Sequence, residues 1–194
     1  QANELFLSEG LFTMAFLKPL ESIQEKVGLL IFEFPHFHVD DFSHGREFVD
    51  LLDHFFSRLP DGWQYAVEVR NANLLHPDYF EMLGAHGVAH VYNQWTQMPS
   101  VSEQLEMHPV ERNPFIAARY LLTPGRSYNF AHEQFEPFHQ LKEVDPSARE
   151  SMAGLLKVAH SPNSFTQPGY IYLGNDLEGN ALHTITDVLS SSGF

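Results

Sequence analysis

Tyr65-Ala66-Val67-Glu68-Val69-Arg70-Asn71 is a strand-like run that carries an acid and a base and ends in polar groups. Side chains two apart along a strand point the same way, so Ala66, Glu68 and Arg70 share one face and Tyr65, Val67 and Val69 the other. Strand–helix units on both sides of this run predict burial of both faces. A Glu or Arg placed there has to be paired or has to line a cavity. Glu68 and Arg70 are therefore the first candidates for a site.

Working outward, five strand-then-helix units can be read. Leu29–Phe34 is a short apolar run stopped by Pro35. Phe48, Leu51, Leu52, Phe55, Phe56 and Leu59 then recur at helical spacing up to Pro60-Asp61-Gly62. The second unit is the quoted strand and a helix with Pro77 in its first turn and Gly87 past its end. The third is Val88–Asn93, followed by the capping-box pattern Ser100-Val101-Ser102-Glu103. The fourth strand is Phe115–Leu122, and after it a long polar and aromatic connection leads to a helix opened by Asp145-Pro146. Its apolar face is Ala148, Met152, Leu155, Leu156 and Ala159, with a break at Ser161–Ser164. The fifth is Gly169–Leu173 with a helix carrying Ala181, Leu182, Ile185, Val188 and Leu189. Residues 1–27 read as helix interrupted by Pro19.

Alternating strands and helices imply an α/β fold with a parallel sheet and right-handed crossovers. A (β/α)₈ barrel fills about 250 residues, whereas the chain has 194. The expectation is a single domain over residues 1–194, TIM-barrel-like but incomplete, with about five of eight strand–helix units. The first residue is Gln rather than Met, which reads as a chain starting inside a longer protein. Two unpaired sheet edges then predict self-association, or coverage by a missing N-terminal segment.

The chain holds 25 acidic residues against 11 Lys and Arg, a formal charge of −14. That balance argues against a broad nucleic-acid or anionic-membrane surface. No stretch approaches the run of about 18 apolar residues that a membrane helix needs. Zero cysteines exclude disulfides and thiolate chemistry, and fit a cytoplasmic setting.

Three segments resemble the YecE-like family, the domain of unknown function numbered 72. They are Leu30–Phe34, Tyr65–Asn71 running on to His90–Pro99, and Gly174–Ala181. The resemblance implies a TIM-barrel-like fold in which these five strands are the fourth to the eighth. Two positions depart from the family pattern: Gly174-Asn175 stands where two adjacent Asn are common, and Asp176 where a related subgroup has a basic residue. The resemblance carries no activity and no cofactor.

Chemistry in such barrels sits at the carboxyl ends of the strands. The residues read at those ends are Glu33, Glu68, Arg70, Asn71, Asn93, Trp95, Arg126, Asn175 and Asn180. Glu68 is the candidate acid or base, with Arg70 and Asn93 orienting substrate. Arg126, Gly179 and Asn180 read as an anion holder at a helix start, beside ordinary turn and cap roles. His36-Phe37-His38 has the spacing of a metal pair, but no repeated ligand pattern joins it, so no metal site is assigned. Trp95, Tyr92 and Tyr128 suit stacking or, more commonly, packing.

Three functions fit. The first is an enzyme acting on a small polar or phosphorylated molecule. The second is a non-catalytic ligand-binding or scaffold protein, whose Glu68–Arg70 pair completes a packed lumen. The third, a metal-dependent phosphodiesterase of nucleic acid, is disfavoured by charge and ligand set.

Overall fold

A computed structural model describes residues 3, 5–38, 40–42, 44–161 and 168–194. Helical winding begins with α1 (Glu9–Leu11), passes through a π-helical stretch (Phe12–Leu17) into α2 (Lys18–Leu20), and tightens to a 3₁₀ stretch (Glu21–Lys26). Pro19 does not break this segment. The amide of Lys18 donates to Thr13, five residues back, and that wider turn makes room for a ring that would otherwise press on the carbonyl of Ala15.

Strand β1 (Leu30–Glu33) leads to α3 (Gly45–Phe56), and β2 (Tyr65–Glu68) to α4 (Pro77–Ala85). The third unit splits into β3 (Ala89–His90) and β4 (Tyr92–Gln94), followed by α5 (Val101–Met107). β5 (Ala117–Tyr120), α6 (Tyr128–Phe135), α7 (Pro146–Ala159), β6 (Tyr170–Leu173) and α8 (Ala181–Ser192) complete the order. The starts are set by local chemistry. Ser100 and Glu103 form the reciprocal capping box of α5, Asp145 caps α7, and Asn180 caps α8. The expected break at Ser161–Ser164 lies largely outside the described residues. The long connection before α7 hides α6, which Ser127 caps through the amide of Phe130.

All strands pair in parallel, as sheets β1-β2-β3 and β4-β5-β6. The predicted single strand Val88–Asn93 changes partner midway. Val91 still donates to the carbonyl of Val67, while Tyr92 already aligns with Ala118. One segment thus serves both ladders.

The two faces match the period of two. Tyr65, Val67 and Val69 pack outward against Phe48, Leu52, Phe55 and Leu83 of the helices. Ala66, Ala89, Val91, Phe115 and Ala117 gather on the opposite face with Leu29, Ile31 and Tyr170. That face is concave. The Tyr170 hydroxyl on β6 donates to Gln64 Oε1 before β2 (3.2 Å), and a Cβ at Gly28 would meet the Tyr170 ring at 2.6 Å. Small residues at 66, 89 and 117 leave room for this approach.

One helix face departs from its pattern. Leu182 is 75% exposed, because α8 turns Thr184 and Val188 inward instead.

Candidate functional site

Strand register within the two ladders, and the approach of one ladder to the other, assemble the site. Glu33 lies beside Glu68 in the β1–β2 ladder, Asn93 beside Arg119 in β4–β5, and Arg119 beside Tyr172 in β5–β6. Each sits an even number of residues from a concave-face neighbour, so all turn to the same side at the carboxyl ends of the strands. Arg70, two residues after Glu68, joins them.

Adjacent carboxylates of equal charge repel, and two guanidinium groups offset that here. Arg70 Nη2 stands 3.0 Å from Glu33 Oε1 and 2.8 Å from Glu68 Oε1. Arg119 Nη1 stands 2.5 Å from Glu33 Oε2 and also pairs with Glu68 Oε2. The result is a ring of four charges in which each arginine uses one nitrogen. The Arg70–Glu68 contact lies off hydrogen-bond geometry, so Glu68 Oε1 has a charged neighbour but receives no hydrogen bond among the described residues. Arg70 Nε and Nη1 are likewise buried without partners there. The face of the Arg70 guanidinium lies 3.9 Å from the centre of the Trp95 ring, a cation–π contact that fixes its plane.

Asn93 and Asn71 frame the cluster differently. Asn93 Nδ2 donates to the carbonyl of Val69 (2.9 Å), holding the chain between Glu68 and Arg70, while its Oδ1 is buried and unpartnered among the described residues. Asn71 clasps Phe37 through both its amide atoms, at 2.7 and 3.1 Å, and so ties the loop after β1 to the end of β2.

The environments push the two carboxyls apart. Burial raises Glu68 above the ordinary carboxylate range, against the pull of Arg70 and Arg119 and with the help of Glu33. Burial also acts on Glu33, but the hydrogen bond from Arg119 and the charges of Arg70 and Arg119 outweigh it and leave Glu33 below that range. Such a divergent pair suits one group to hold a proton and the other to stay ionised.

The last two loops form a separate set of contacts. Arg126 pairs with Glu143 at 2.5 Å and faces the Phe135 ring. At the start of α8 the amide of Gly179 donates to Asn175 O (2.8 Å), that of Ala181 to Asn175 Oδ1 (2.9 Å), and that of His183 to Asn180 Oδ1 (2.9 Å). Those donors, which an anion at Gly179 and Asn180 would use, are taken internally. Glu178, which precedes them, is a buried anchor. It accepts from Asp145 N (2.7 Å), Thr184 Oγ1 (2.8 Å) and the Arg149 Nε and Nη2 groups.

The imidazoles of His36 and His38 lie 6.1 Å apart, and no group of three or more His, Asp or Glu placed to hold a metal occurs among the described residues. Tyr92 is a packing residue whose hydroxyl donates to the carbonyl of His108 (2.7 Å), and Tyr128 stacks on His132.

A family described as Protein of unknown function DUF72 matches residues 6–193. The chain belongs to the DUF72 family. Among solved structures it is similar to a DUF72 family protein of Enterococcus faecalis V583, at 17% identity and a TM-score of 0.61, covering 99% of this chain and 73% of that one. It is also similar to a DUF72 family protein of Thermotoga maritima MSB8, at 15% identity and a TM-score of 0.63, covering 96% of this chain and 65% of that one. At such identities the likeness speaks for the fold. No functionally curated protein matches the chain.

Two members of the strand-end cluster of this DUF72 chain were not among the residues singled out from sequence. Arg119 interrupts the apolar run Phe115–Leu122, the same signal that marked Glu68, and it shares the parity of Ala117. Tyr172 follows Tyr170 by two along β6, and burial raises its hydroxyl above the usual phenol range.

Proposed function

We propose that this DUF72 chain is an incomplete TIM-barrel-like domain over residues 1–194, and an enzyme acting on a small polar or phosphorylated molecule at its strand ends. The parallel ladders, the concave face and the likeness to two longer family members support the barrel reading. One observation carries the functional reading. Glu68, wholly buried, sits between Arg70 and Arg119 beside a second carboxylate, while Arg70 Nε and Nη1 and Asn93 Oδ1 lack partners among the described residues. In this reading Glu68 moves a proton, ionised Glu33 and the arginines orient substrate and meet developing negative charge, and Asn93 supplies a hydrogen-bond acceptor. The cytoplasmic setting belongs to the same proposal and rests on a cysteine-free composition. No described helix is long and apolar enough to cross a membrane.

Mutual pairing of all four charges favours a second reading, a ligand-binding or scaffold protein without catalysis. Screening small polar and phosphorylated metabolites by thermal shift, then assaying turnover with wild type and Glu68→Gln, separates the two. The enzyme reading expects turnover that Glu68→Gln abolishes. Binding without turnover, or turnover that survives Glu68→Gln, defeats it.

A further inference from the structure

The strand-end cluster is electrically balanced when both carboxyls are ionised: two carboxylates, two guanidiniums. A negatively charged group entering it must drive out a negative charge already there. The two carboxylates are unequal in this respect. Glu68 has no exposed side-chain surface, whereas the Glu33 side chain is 45% exposed and the Arg119 side chain 23%. Glu33 can swing into water at little cost; Glu68 cannot.

The hydrogen bonding points the same way. Each arginine meets the carboxylates through a single nitrogen, although guanidinium groups hold oxyanions best through two. Arg70 keeps Nε and Nη1 buried and without partners among the described residues, with its plane fixed by Trp95. Donors are therefore in excess at a position whose one mobile acceptor faces solvent.

Building on the ligand-site reading above, we propose that Glu33 is a placeholder, and that an oxyanion of the ligand, phosphate or carboxylate, takes its seat between Arg70 and Arg119. Once Glu33 leaves, each guanidinium can turn a two-nitrogen edge to the incoming group, and Glu68 remains beside it to exchange a proton. Substrates of this site then carry at least one anionic group next to the reacting atom. Neutral sugars and alcohols do not displace Glu33.

Calorimetric titration with inorganic phosphate, and in a second arm with acetate, tests this on the full chain at low salt. Glu33→Gln, which keeps the shape and removes the competing charge, is expected to bind at least one of the two about tenfold more tightly than wild type. Glu33→Ala should do the same, and adding Arg119→Met to either should erase the gain. The better-bound anion identifies the ligand group. In wild type the carboxyl carbon resonance of Glu33, followed by NMR, should shift on saturation with that anion more than that of Glu68. Folded Glu33 variants that bind neither anion more tightly, a gain that persists with Arg119→Met, or an unmoved Glu33 resonance overturns the proposal. The Glu68→Gln assay is separate. A Glu68-dependent ligand without the Glu33 effects sinks the displacement alone, and the Glu33 effects without Glu68-dependent turnover uphold the seat while removing the catalysis.

Discussion

Replacing Arg119 by Met removes one side of the charged ring and keeps much of the side-chain volume. The loss comprises two charge-assisted contacts, one to Glu33 Oε2 at 2.5 Å and one to the wholly buried Glu68. Stripping a buried ion of its partner costs about 3–5 kcal/mol. Arg70 still stands 2.8 Å from Glu68, and half-exposed Glu33 can turn to water, so the low end applies. The expected loss is about 3 kcal/mol at pH 7, or about 6–12 °C in melting temperature for a chain of this size. The pH dependence has a defined sign. Glu68 binds its proton more tightly folded than unfolded, so its burial costs stability at neutral pH and less as pH falls toward the unfolded carboxyl range. Glu33, held below that range, contributes stability above it that fades as pH falls through its folded value. Losing Arg119 worsens the first and weakens the second, so the deficit of the variant should be greatest near pH 7–8 and shrink toward pH 5. Urea unfolding of wild type, Arg119→Met and Arg119→Met/Glu68→Gln across that range measures it, and the double variant should recover part of the loss. A deficit below about 1 kcal/mol, or one that does not vary with pH, would refute the reasoning.

Other consequences are open to direct measurement. Glu178→Gln places an amide donor against the Asp145, Thr184 and Arg149 donors that converge on Glu178; urea unfolding should show a loss of about 3 kcal/mol. Gly179→Ala should destabilise more than Gly87→Ala: both have positive φ, +104° and +63°, but only the former would bring a Cβ within 2.8 Å of a backbone oxygen, that of Gln140. The open position 87 should cost about 1 kcal/mol. Asn180→Ala should leave phosphate affinity unchanged in a calorimetric titration, because the amides of Gly179, Ala181 and His183 are committed within the protein. Sedimentation should show concentration-dependent self-association that Leu182→Glu weakens, since that side chain is 75% exposed beside the apolar groove of α7, β6 and α8.

Much of the architecture was legible because it is written in local chemistry. Period-two alternation in Tyr65–Asn71 put Ala66 and Glu68 on one face and Tyr65 and Val67 on the other, and the structure turns the first pair to the concave side and the second to the helices. The Pro77 start and the Ser100–Glu103 box mark helices that form where expected. The hidden helix α6 is only eight residues long, and its weakly apolar stretch is overshadowed by Gly125 and Pro137 on either side. The change of partner at Val91 depends on sheet curvature, a tertiary property that no window of residues encodes. The same holds for the site. Glu68 and Arg70 announce themselves as charges in an apolar strand, whereas the role of Arg119 follows only once curvature brings β5 opposite β1. The start of α8 reads as an anion cradle until its donors are traced to Asn175 and Asn180.

The chain has two tryptophans, and one of them rests against the Arg70 guanidinium. With Trp63 replaced by Phe, the emission of Trp95 becomes a built-in optical probe. Any compound that pulls the guanidinium aside should alter its intensity or colour, so candidate molecules can be sorted in a plate reader without a label and before any reaction is known.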